Sequence, residues 1–180
     1  MVAPLSLPLD LPLARSRMDR AGELRTHPEA LLKGWPTARI LHFNGEKFLT
    51  AGEMLAYVPV HQVPDDAESY FLGEDEDGIH FYVLNSPTFY GLHEHYKTIR
   101  EVHLDDKEVG LAVHAQGLSL WHKRHPICSV CSGQTHPRLA GSVRTCVRCS
   151  ADHYPRTDPA IIVLTRDKDD RILLGRQKVW

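Results

Sequence analysis

The sequence lacks the features that identify membrane, exported and strongly basic proteins. No apolar run in its 180 residues approaches the roughly 18–20 residues needed to cross a bilayer. The N-terminal stretch MVAPLSLPLDLPLARS has neither a basic start nor a continuous apolar segment, so no signal peptide is expected and we predict a cytoplasmic protein. The net charge is only −2, which does not indicate nucleic-acid binding by the whole chain. Hydrophobic residues make up 42%, which is enough for a packed core.

Cysteine is scarce as well, and its placement is informative. The 4 cysteines form two C-x-x-C pairs, Cys128–Cys131 and Cys146–Cys149, with residues 132–145 between them. Scattered core thiols would not pair in this way, and disulfides are disfavoured in a reducing cytosol. Two such turns supply four thiolates to one tetrahedral Zn²⁺, although the spacing is one residue short of the usual range of about 15–20. The pattern favours a closed structural zinc ribbon, with Gly133 expected at a positive φ angle.

The surface of this ribbon is expected to be basic. From His122 to Thr157 the only acidic residue is Asp152, against the following cations: Lys123, Arg124, Arg138, Arg144, Arg148 and Arg156. Such a patch indicates contact with nucleic acid or with a phosphate-bearing ligand. A solvated basic face without a partner is the alternative, and charge alone does not separate the two.

The first hundred residues predict a mixed domain of an α+β protein. The stretch THPEALLKGW predicts a short helix with Thr26 as its cap and Pro28 in its first turn. The pair Asn44-Gly45 between two apolar runs predicts a β-hairpin. Two further strands are expected in SYFLGEDEDGIHFYVL, joined by the acidic run 74–77 as a solvated turn.

A longer helix of roughly residues 106–123 is expected to lead into the ribbon. Asp105 and Glu108 have capping-box spacing, and Pro126 ends the helix. The apolar residues expected on one helical face are Val109, Val113, Leu120 and Trp121. His114, His122 and His125 lie in or near the helix, and surface or packing roles are expected for them because the cysteines already complete a metal site.

After the ribbon, the sequence changes character. Ala160–Thr165 and Arg171–Gln177 predict two strands, with a turn at 167–170. Two strands do not form a stable unit alone, so we expect this hairpin to begin another domain whose partner strands lie outside the sequence.

These elements, in this order, resemble the NADH pyrophosphatase branch of the Nudix hydrolases. The resemblance is strong over residues 100–180, where Trp121-His122, the four cysteines, the link Tyr154–Pro159 and the hairpin follow one another. It is weaker over residues 1–99, mainly in YFLGEDEDG. It implies an N-terminal domain at 1–122, a zinc ribbon at 123–157 and the start of a Nudix domain at 158–180.

The resemblance also implies an activity. The family cleaves the diphosphate of NAD(H) to nicotinamide mononucleotide and AMP, and it removes NAD caps from RNA. The glutamates of its Nudix box hold Mg²⁺ or Mn²⁺. The nearest string here, beginning at Arg100, has Leu104 where the box requires glutamate. We therefore expect the box after Trp180, no catalytic residue in this chain, and an inactive chain.

The family's substrate contacts match three residues of this sequence. Tyr154 is in the place of a tyrosine that stacks on adenine across a homodimer interface, Ile162 matches an aliphatic residue of the same pocket, and Arg100 matches a substrate-binding arginine. Packing, a core position and a surface ion pair are the respective alternatives. A non-enzymatic zinc-ribbon module that binds RNA or protein is the rival function, although the hairpin at 160–177 disfavours it.

Overall fold

The computed structural model describes residues 13, 16–88, 90–156 and 163–175, and these residues form an α+β protein. The N-terminal part builds a mixed sheet, a long helix packs on it, and a small three-stranded sheet follows. The helices are α1 (Pro28–Gly34) and α2 (Asp106–Arg124). The strands of the large sheet are β1 (Arg39–Phe43), β2 (Phe48–Ala51), β3 (Met54–Leu55), β4 (Tyr57–Val58), β5 (Ser69–Glu74), β6 (His80–Asn85) and β7 (Tyr96–Lys97). The strands of the small sheet are β8 (Thr135–Arg138), β9 (Val143–Cys146) and β10 (Asp152–His153).

Within the described residues, the large sheet has seven strands around a parallel pair. Its main order is β3-β2-β1-β6-β5, while β4 pairs with β1 and β7 pairs with β2. Strands β1 and β6 run parallel over five residue pairs, and the other pairings are antiparallel. Nearly all side chains of β1, β5 and β6 are buried on both faces, as expected for strands covered by other elements.

The predicted hairpin at Asn44-Gly45 is confirmed. Phe43 pairs with Phe48 across a connection in which the Asn44 side-chain oxygen accepts hydrogen bonds from the backbone N–H groups of Glu46 and Lys47. Gly45 has φ 96°, which an L side chain rarely adopts. The asparagine and the glycine thus have separate roles, one as acceptor and one in the left-handed backbone conformation.

The predicted cap of the first helix is wrong. Helix α1 does carry Pro28 at its first position, but His27 precedes it as the cap residue and makes no side-chain capping bond. Thr26 ends a 3₁₀ turn over Gly22–Thr26, and its hydroxyl donates to the backbone oxygen of Glu23. The threonine therefore belongs to the turn before the helix, and the cap position falls one residue later, at His27.

The acidic turn between β5 and β6 was expected to be solvated, but one of its acidic residues is buried. Asp75 is buried, and its carboxylate accepts a hydrogen bond from Lys107 Nζ at 2.6 Å and another from the Ile79 N–H at 2.9 Å. Burial raises the pKa of Asp75, but Lys107 and the Ile79 N–H outweigh it and hold this pKa below its usual value. One acid of the run therefore ties the turn to helix α2, while Glu76 and Asp77 remain exposed.

Helix α2 covers the span that the sequence predicts, and most of the residues expected to cap it or to pack against the core do so. Asp105 caps it by accepting a hydrogen bond from the Glu108 N–H at 2.8 Å, and Glu108 accepts from the Leu55 N–H of β3 instead of completing the capping box. Val109 and Trp121 are buried as expected, whereas Val113 is 40% exposed. The main core cluster contains Leu111, Ala112, Ala115 and Leu118 of α2, so two small residues lie between two large ones where the helix meets the sheet. None of the described helices has both the length and the apolar character of a membrane span.

The described C-terminal residues support only the turn of the expected hairpin. Asp167 accepts backbone hydrogen bonds through its side chain from Asp169 and Arg171, and Arg166 forms a single bridge with Ile172. Residues 163–175 contain no assigned strand, and parts of both expected strands lie outside the described residues. The start of a Nudix domain at 158–180, like the other domain boundaries, stays a prediction.

Candidate metal centre and its surroundings

The four cysteines lie in two turns of nearly the same shape. In each turn the residue after the second cysteine donates its N–H to the first cysteine's carbonyl, at 3.0 Å for Ser132 to Cys128 and 3.1 Å for Ser150 to Cys146. Both serines have φ 59°. The positive φ expected at Gly133 is therefore found one residue earlier, at a serine, and the repeat at Ser150 shows that the turn itself imposes it.

Gly133 is required for space. A Cβ atom at this position would lie 2.9 Å from the Arg148 Cβ, 3.0 Å from the Cys146 Sγ and 3.3 Å from the Cys131 Sγ. A side chain here would push the two turns apart, because real Cβ contacts of this kind are not found below about 3 Å. The glycine thus lets one cysteine turn approach the other.

The thiol geometry fits a tetrahedral ion. One ligand atom from each of the four cysteines lies within 4.8 Å of the others, with Sγ–Sγ distances of 3.7 Å for Cys128–Cys149 and 3.5 Å for Cys131–Cys146. All four cysteines are free, and a disulfide would require about 2.05 Å. Zn–S bonds of about 2.3 Å place tetrahedral sulfurs roughly 3.8 Å apart. The cysteines are therefore positioned to bind a metal ion.

Backbone groups favour thiolates at this centre. The Val130 N–H donates to the Cys128 Sγ at 3.3 Å, and the Arg148 N–H donates to the Cys146 Sγ at 3.3 Å. The N–H groups of Cys149 and Arg148 lower the pKa of Cys146 to about 6, against an opposing effect of burial. At Cys149 the Ala151 N–H acts to lower the pKa, but hydrogen bonds with the neighbouring thiols outweigh it and raise this pKa to about 12. In the absence of a metal ion the backbone therefore favours a thiolate at Cys146 and not at all four cysteines.

Buried polar groups join this small sheet to the large one. His122 accepts a hydrogen bond from Arg144 Nη1 at Nδ1 and donates from Nε2 to the Gly141 oxygen, both at 2.8 Å. Its ring stacks on Tyr70 of β5 with centroids 3.8 Å apart. Gly141, with φ 92°, has no room for a side chain because a Cβ would lie 2.6 Å from the Tyr70 ring. The packing role expected for His122 is confirmed.

Arg144 is a correction to the expected basic surface. It is only 6% exposed, and it donates to the Thr135 hydroxyl from Nε and to the Thr135 carbonyl from Nη2. The other five cations of the ribbon are exposed: Lys123, Arg124, Arg138, Arg148 and Arg156. The basic face therefore exists, but with one arginine fewer than the sequence suggests.

Of the three expected substrate contacts, one borders a cavity. Tyr154 is 61% exposed and lines a cavity of about 500 Å³, together with Trp121 and Arg156. Arg100 is exposed but does not line this cavity, and Ile162 lies outside the described residues. Arg100 and Tyr154 thus do not share this cavity, and the roles of all three residues stay predictions.

The fold and the site define a class: a mixed sheet joined through one helix to a small module whose four cysteines are positioned to bind a metal ion. No protein-family model matches the chain. The NAD-capped RNA hydrolases NudC of Mycobacterium tuberculosis (strain H37Rv) and Mycobacterium bovis (strain BCG / Pasteur 1173P2) are each 31% identical over 191 residues, which cover 97% of this chain. Shorter matches include Nudix hydrolase 19, chloroplastic, of Arabidopsis thaliana, 38% identical over 39% of the chain and 17% of that protein.

The NAD-capped RNA hydrolase NUDT12 of Macaca fascicularis is a further relative, 34% identical over 42% of the chain and 18% of that protein. These relatives confirm the resemblance to the NADH pyrophosphatase branch of the Nudix hydrolases that is seen in the motifs of the chain. It spans 58% of the length of the mycobacterial NudC proteins that it matches.

Proposed function

We propose that this chain is the N-terminal and zinc-ribbon part of an NAD(H) diphosphatase that also acts on NAD-capped RNA. The observation that carries the proposal is the four-thiol centre, found in a chain related along 97% of its length to NAD-capped RNA hydrolases. The products would be nicotinamide mononucleotide and AMP, or the uncapped 5′-monophosphate RNA. The proposed protein is a cytoplasmic homodimer.

The proposed role of the zinc is structural. Cys128, Cys131, Cys146 and Cys149 would hold it, and four protein ligands leave no position for a reacting water. The ribbon fold in turn presents Tyr154, which follows β10 directly and is exposed on one side. In this proposal the tyrosine ring offers a flat apolar face to the adenine of the substrate, while Arg100 and Ile162 complete the contacts.

The chemistry itself would need a second metal. Mg²⁺ or Mn²⁺ bound by the glutamates of a Nudix box would activate water and neutralise the diphosphate. No stretch of the 180 residues has the box pattern, so this chain alone is expected not to hydrolyse NADH.

The activity test compares this chain with a longer protein that adds a Nudix box after it. AMP release from NADH is measured with Mg²⁺ or Mn²⁺ present. The longer protein should turn over and the chain of 180 residues should not. Metal-dependent hydrolysis by the chain itself would show that the active site has been misassigned.

Tyr154 provides the test of substrate contact in the longer protein. Base stacking is worth about 1–3 kcal/mol, so Tyr154→Ala should raise KM roughly 5- to 150-fold with a smaller change in kcat. Tyr154→Phe keeps the ring and should be nearly silent. Equal losses in the two variants would implicate the hydroxyl, and an unchanged KM in a folded Tyr154→Ala protein would reject the contact.

The second candidate is a non-enzymatic module that binds RNA or protein through the ribbon. The five exposed cations of the ribbon favour it. A longer protein that binds RNA but releases neither AMP from NADH nor nicotinamide mononucleotide from capped RNA would support this alternative against the hydrolase.

A further inference from the structure

A small cavity lies where residues 20–25, helix α2 and the ribbon meet. Its volume is about 240 Å³. The residues that line it are Arg20, Arg25, His114, Leu118, Ser142 and Pro155. We call it the junction cavity. Sites for drug-sized ligands have volumes of about 300–1,000 Å³, so this smaller cavity is suited to a single small group.

Two arginines of the junction cavity have no acidic partner. Among the described residues, the Arg20 side chain has neither a hydrogen bond nor an ion pair. The Arg25 side chain donates from Nη1 to the Phe71 carbonyl at 2.9 Å, and its guanidinium lies 5.1 Å from the centre of the Phe71 ring. Both contacts are with neutral groups, and no described aspartate or glutamate lines the cavity. The two positive charges are therefore not balanced by a carboxylate.

The pKa values of the lining groups reflect these two charges. Burial lowers the pKa of Arg20. Burial, followed by the charge of Arg20, lowers the pKa of Arg25. Burial and then the charges of both arginines lower the pKa of His114 to about 3, so this histidine is neutral at pH 7. An anion placed between the two arginines would offset their mutual repulsion.

The hydrogen-bond donors that remain free in the junction cavity belong to the arginines. The His114 ring bonds to the Leu72 backbone, and the Ser142 hydroxyl donates to a backbone carbonyl at 2.9 Å. Each guanidinium carries five N–H groups, and within the described chain the two together use one. The cavity thus combines positive charge with a surplus of N–H donors, which is the chemistry that recognises an oxyanion.

We propose that the junction cavity binds one phosphate group between Arg20 and Arg25. Inorganic phosphate or a phosphomonoester presents at least three acceptor oxygens and up to two negative charges, which two guanidinium groups can share. A carboxylate presents two oxygens and one charge, which a single arginine satisfies. The cavity therefore favours phosphate over carboxylate.

The phosphate has two possible sources. The junction cavity shares Arg20 and His114 with the cavity of about 500 Å³ beside Tyr154, which has the volume of a ligand site. A nucleotide would place its phosphate in the junction cavity and its nucleoside in the larger one, whereas inorganic phosphate would occupy the junction cavity alone. Both use the same two arginines, so the site does not rest on the proposed hydrolase activity.

The test is isothermal titration calorimetry of the chain at constant ionic strength. The probes are inorganic phosphate, AMP, adenosine and acetate. Acetate should bind at least about 10-fold more weakly than phosphate, and adenosine at least about 10-fold more weakly than AMP, because neither can engage both guanidinium groups. Equal Kd values for phosphate and AMP would assign the site to free phosphate. A lower Kd for AMP would assign it to a nucleotide that also occupies the larger cavity.

Variants locate the site. Arg20→Gln should raise the Kd for phosphate about 10-fold or more, and this side chain has no partner among the described residues to lose. Arg25→Gln should cause a similar loss. Arg20→Lys keeps the charge but not the planar fork, so an intermediate Kd is expected. Arg124→Gln removes an exposed arginine that does not line the junction cavity, and it should change the Kd by less than about 2-fold. Thermal unfolding checks that each variant is folded.

Three outcomes would overturn the inference. The first is that neither phosphate nor AMP binds at millimolar concentration. The second is that Arg20→Gln, when folded, binds phosphate as well as Arg124→Gln does. The third is that acetate binds as tightly as phosphate, or adenosine as tightly as AMP. None of these results bears on the hydrolase proposal, because the titrations measure no turnover and neither Tyr154 nor Arg100 lines the junction cavity.

Discussion

The ribbon and the large sheet differ in how much apolar surface they bury. In residues 126–156, the buried aliphatic side chain is that of Val143, and the other buried side chains are thiols, threonines and Arg144. The large sheet instead buries two apolar clusters that include Phe43, Phe81 and Leu84. The ribbon even exposes apolar residues, with Val130 at 73% exposed. A region with so little apolar burial needs another source of stability, and the four thiols indicate a metal.

The largest effect should follow from removing one thiol. Structural zinc contributes on the order of 10–16 kcal/mol of apparent binding free energy in small domains. Cys128→Ser should therefore lose the ion and unfold residues 128–149, while the large sheet keeps its amide protection. Zinc content and hydrogen exchange measure the two regions separately.

Ser129→Ala is the matched control, because it changes an exposed neighbour in the same turn. It should retain one zinc per chain. Preparations without zinc, with the thiols paired as disulfides, would reject the metal centre and with it the contrast between the regions.

The converse experiment creates a cavity in the core of the large sheet and leaves the ribbon unchanged. Phe81 is fully buried in the core cluster beneath α2, and Phe81→Ala should cost about 3–5 kcal/mol of unfolding free energy. The zinc content of the protein should not change. Urea unfolding is monitored by far-UV circular dichroism, with zinc release measured in parallel. The two measurements test whether the large sheet and the ribbon unfold independently. Loss of zinc at the same urea concentration as the sheet would show that they unfold as one unit.

The sequence predicted the features that depend on neighbours along the chain. The two cysteine pairs, the Asn44-Gly45 turn and the Asp105 cap are each specified within a few residues, and the structure contains all three. The family resemblance came from such local motifs in their order. Tyr154, Ile162 and Arg100 are still predictions, since they derive from the resemblance and not from local geometry.

The features that the sequence did not predict depend on distant residues. Asp75 looked solvated because its partner Lys107 is 32 positions away, and Arg144 looked exposed because His122 precedes it by 22. The cavity of about 660 Å³ between α1 and the Arg138–Ala140 loop draws its lining residues from positions 25 to 140, so no local pattern marks it. Local patterns also gave two positions that are wrong by one residue. The helix cap is His27 instead of Thr26, and the positive φ of the cysteine turn is at Ser132 instead of Gly133.

His122 allows the junction between the regions to be tested by pH. Burial is the main cause that lowers its pKa to about 4, and Arg144 adds to it against the Gly141 hydrogen bond. In the unfolded chain the pKa is about 6.5, so the unfolded state binds more protons between these values. The contribution of neutral His122 to the free energy of unfolding is therefore fully present above about pH 6.5, and it is lost as the pH falls toward 4. The expected loss between pH 7 and pH 5 is about 2 kcal/mol.

The measurement is urea unfolding of the protein and of His122→Gln at both pH values. The variant should be less stable at pH 7 but should lack this part of the pH dependence. Zinc release in acid affects both proteins, so the difference between them isolates the histidine. His125→Gln changes an exposed histidine three residues away and serves as the control. Parallel pH profiles for the protein and His122→Gln would contradict the assignment.

The smallest expected effect is on the unfolding free energy, when two adjacent acids in the turn between β5 and β6 are substituted one at a time. Asp75→Ala removes the acceptor for the Ile79 N–H and the partner of Lys107, which is itself one-third exposed. Partial exposure of the lysine limits the cost, so we expect a loss of about 1–2 kcal/mol in unfolding free energy. Glu76→Ala removes the same charge from an exposed position and should change stability by less than about 0.5 kcal/mol. Because Asp75 joins the turn to α2, its loss should lower the stability of the large sheet and leave zinc binding intact. Equal effects of the two substitutions would mean that the turn is held by charge alone, as a solvated acidic run would be.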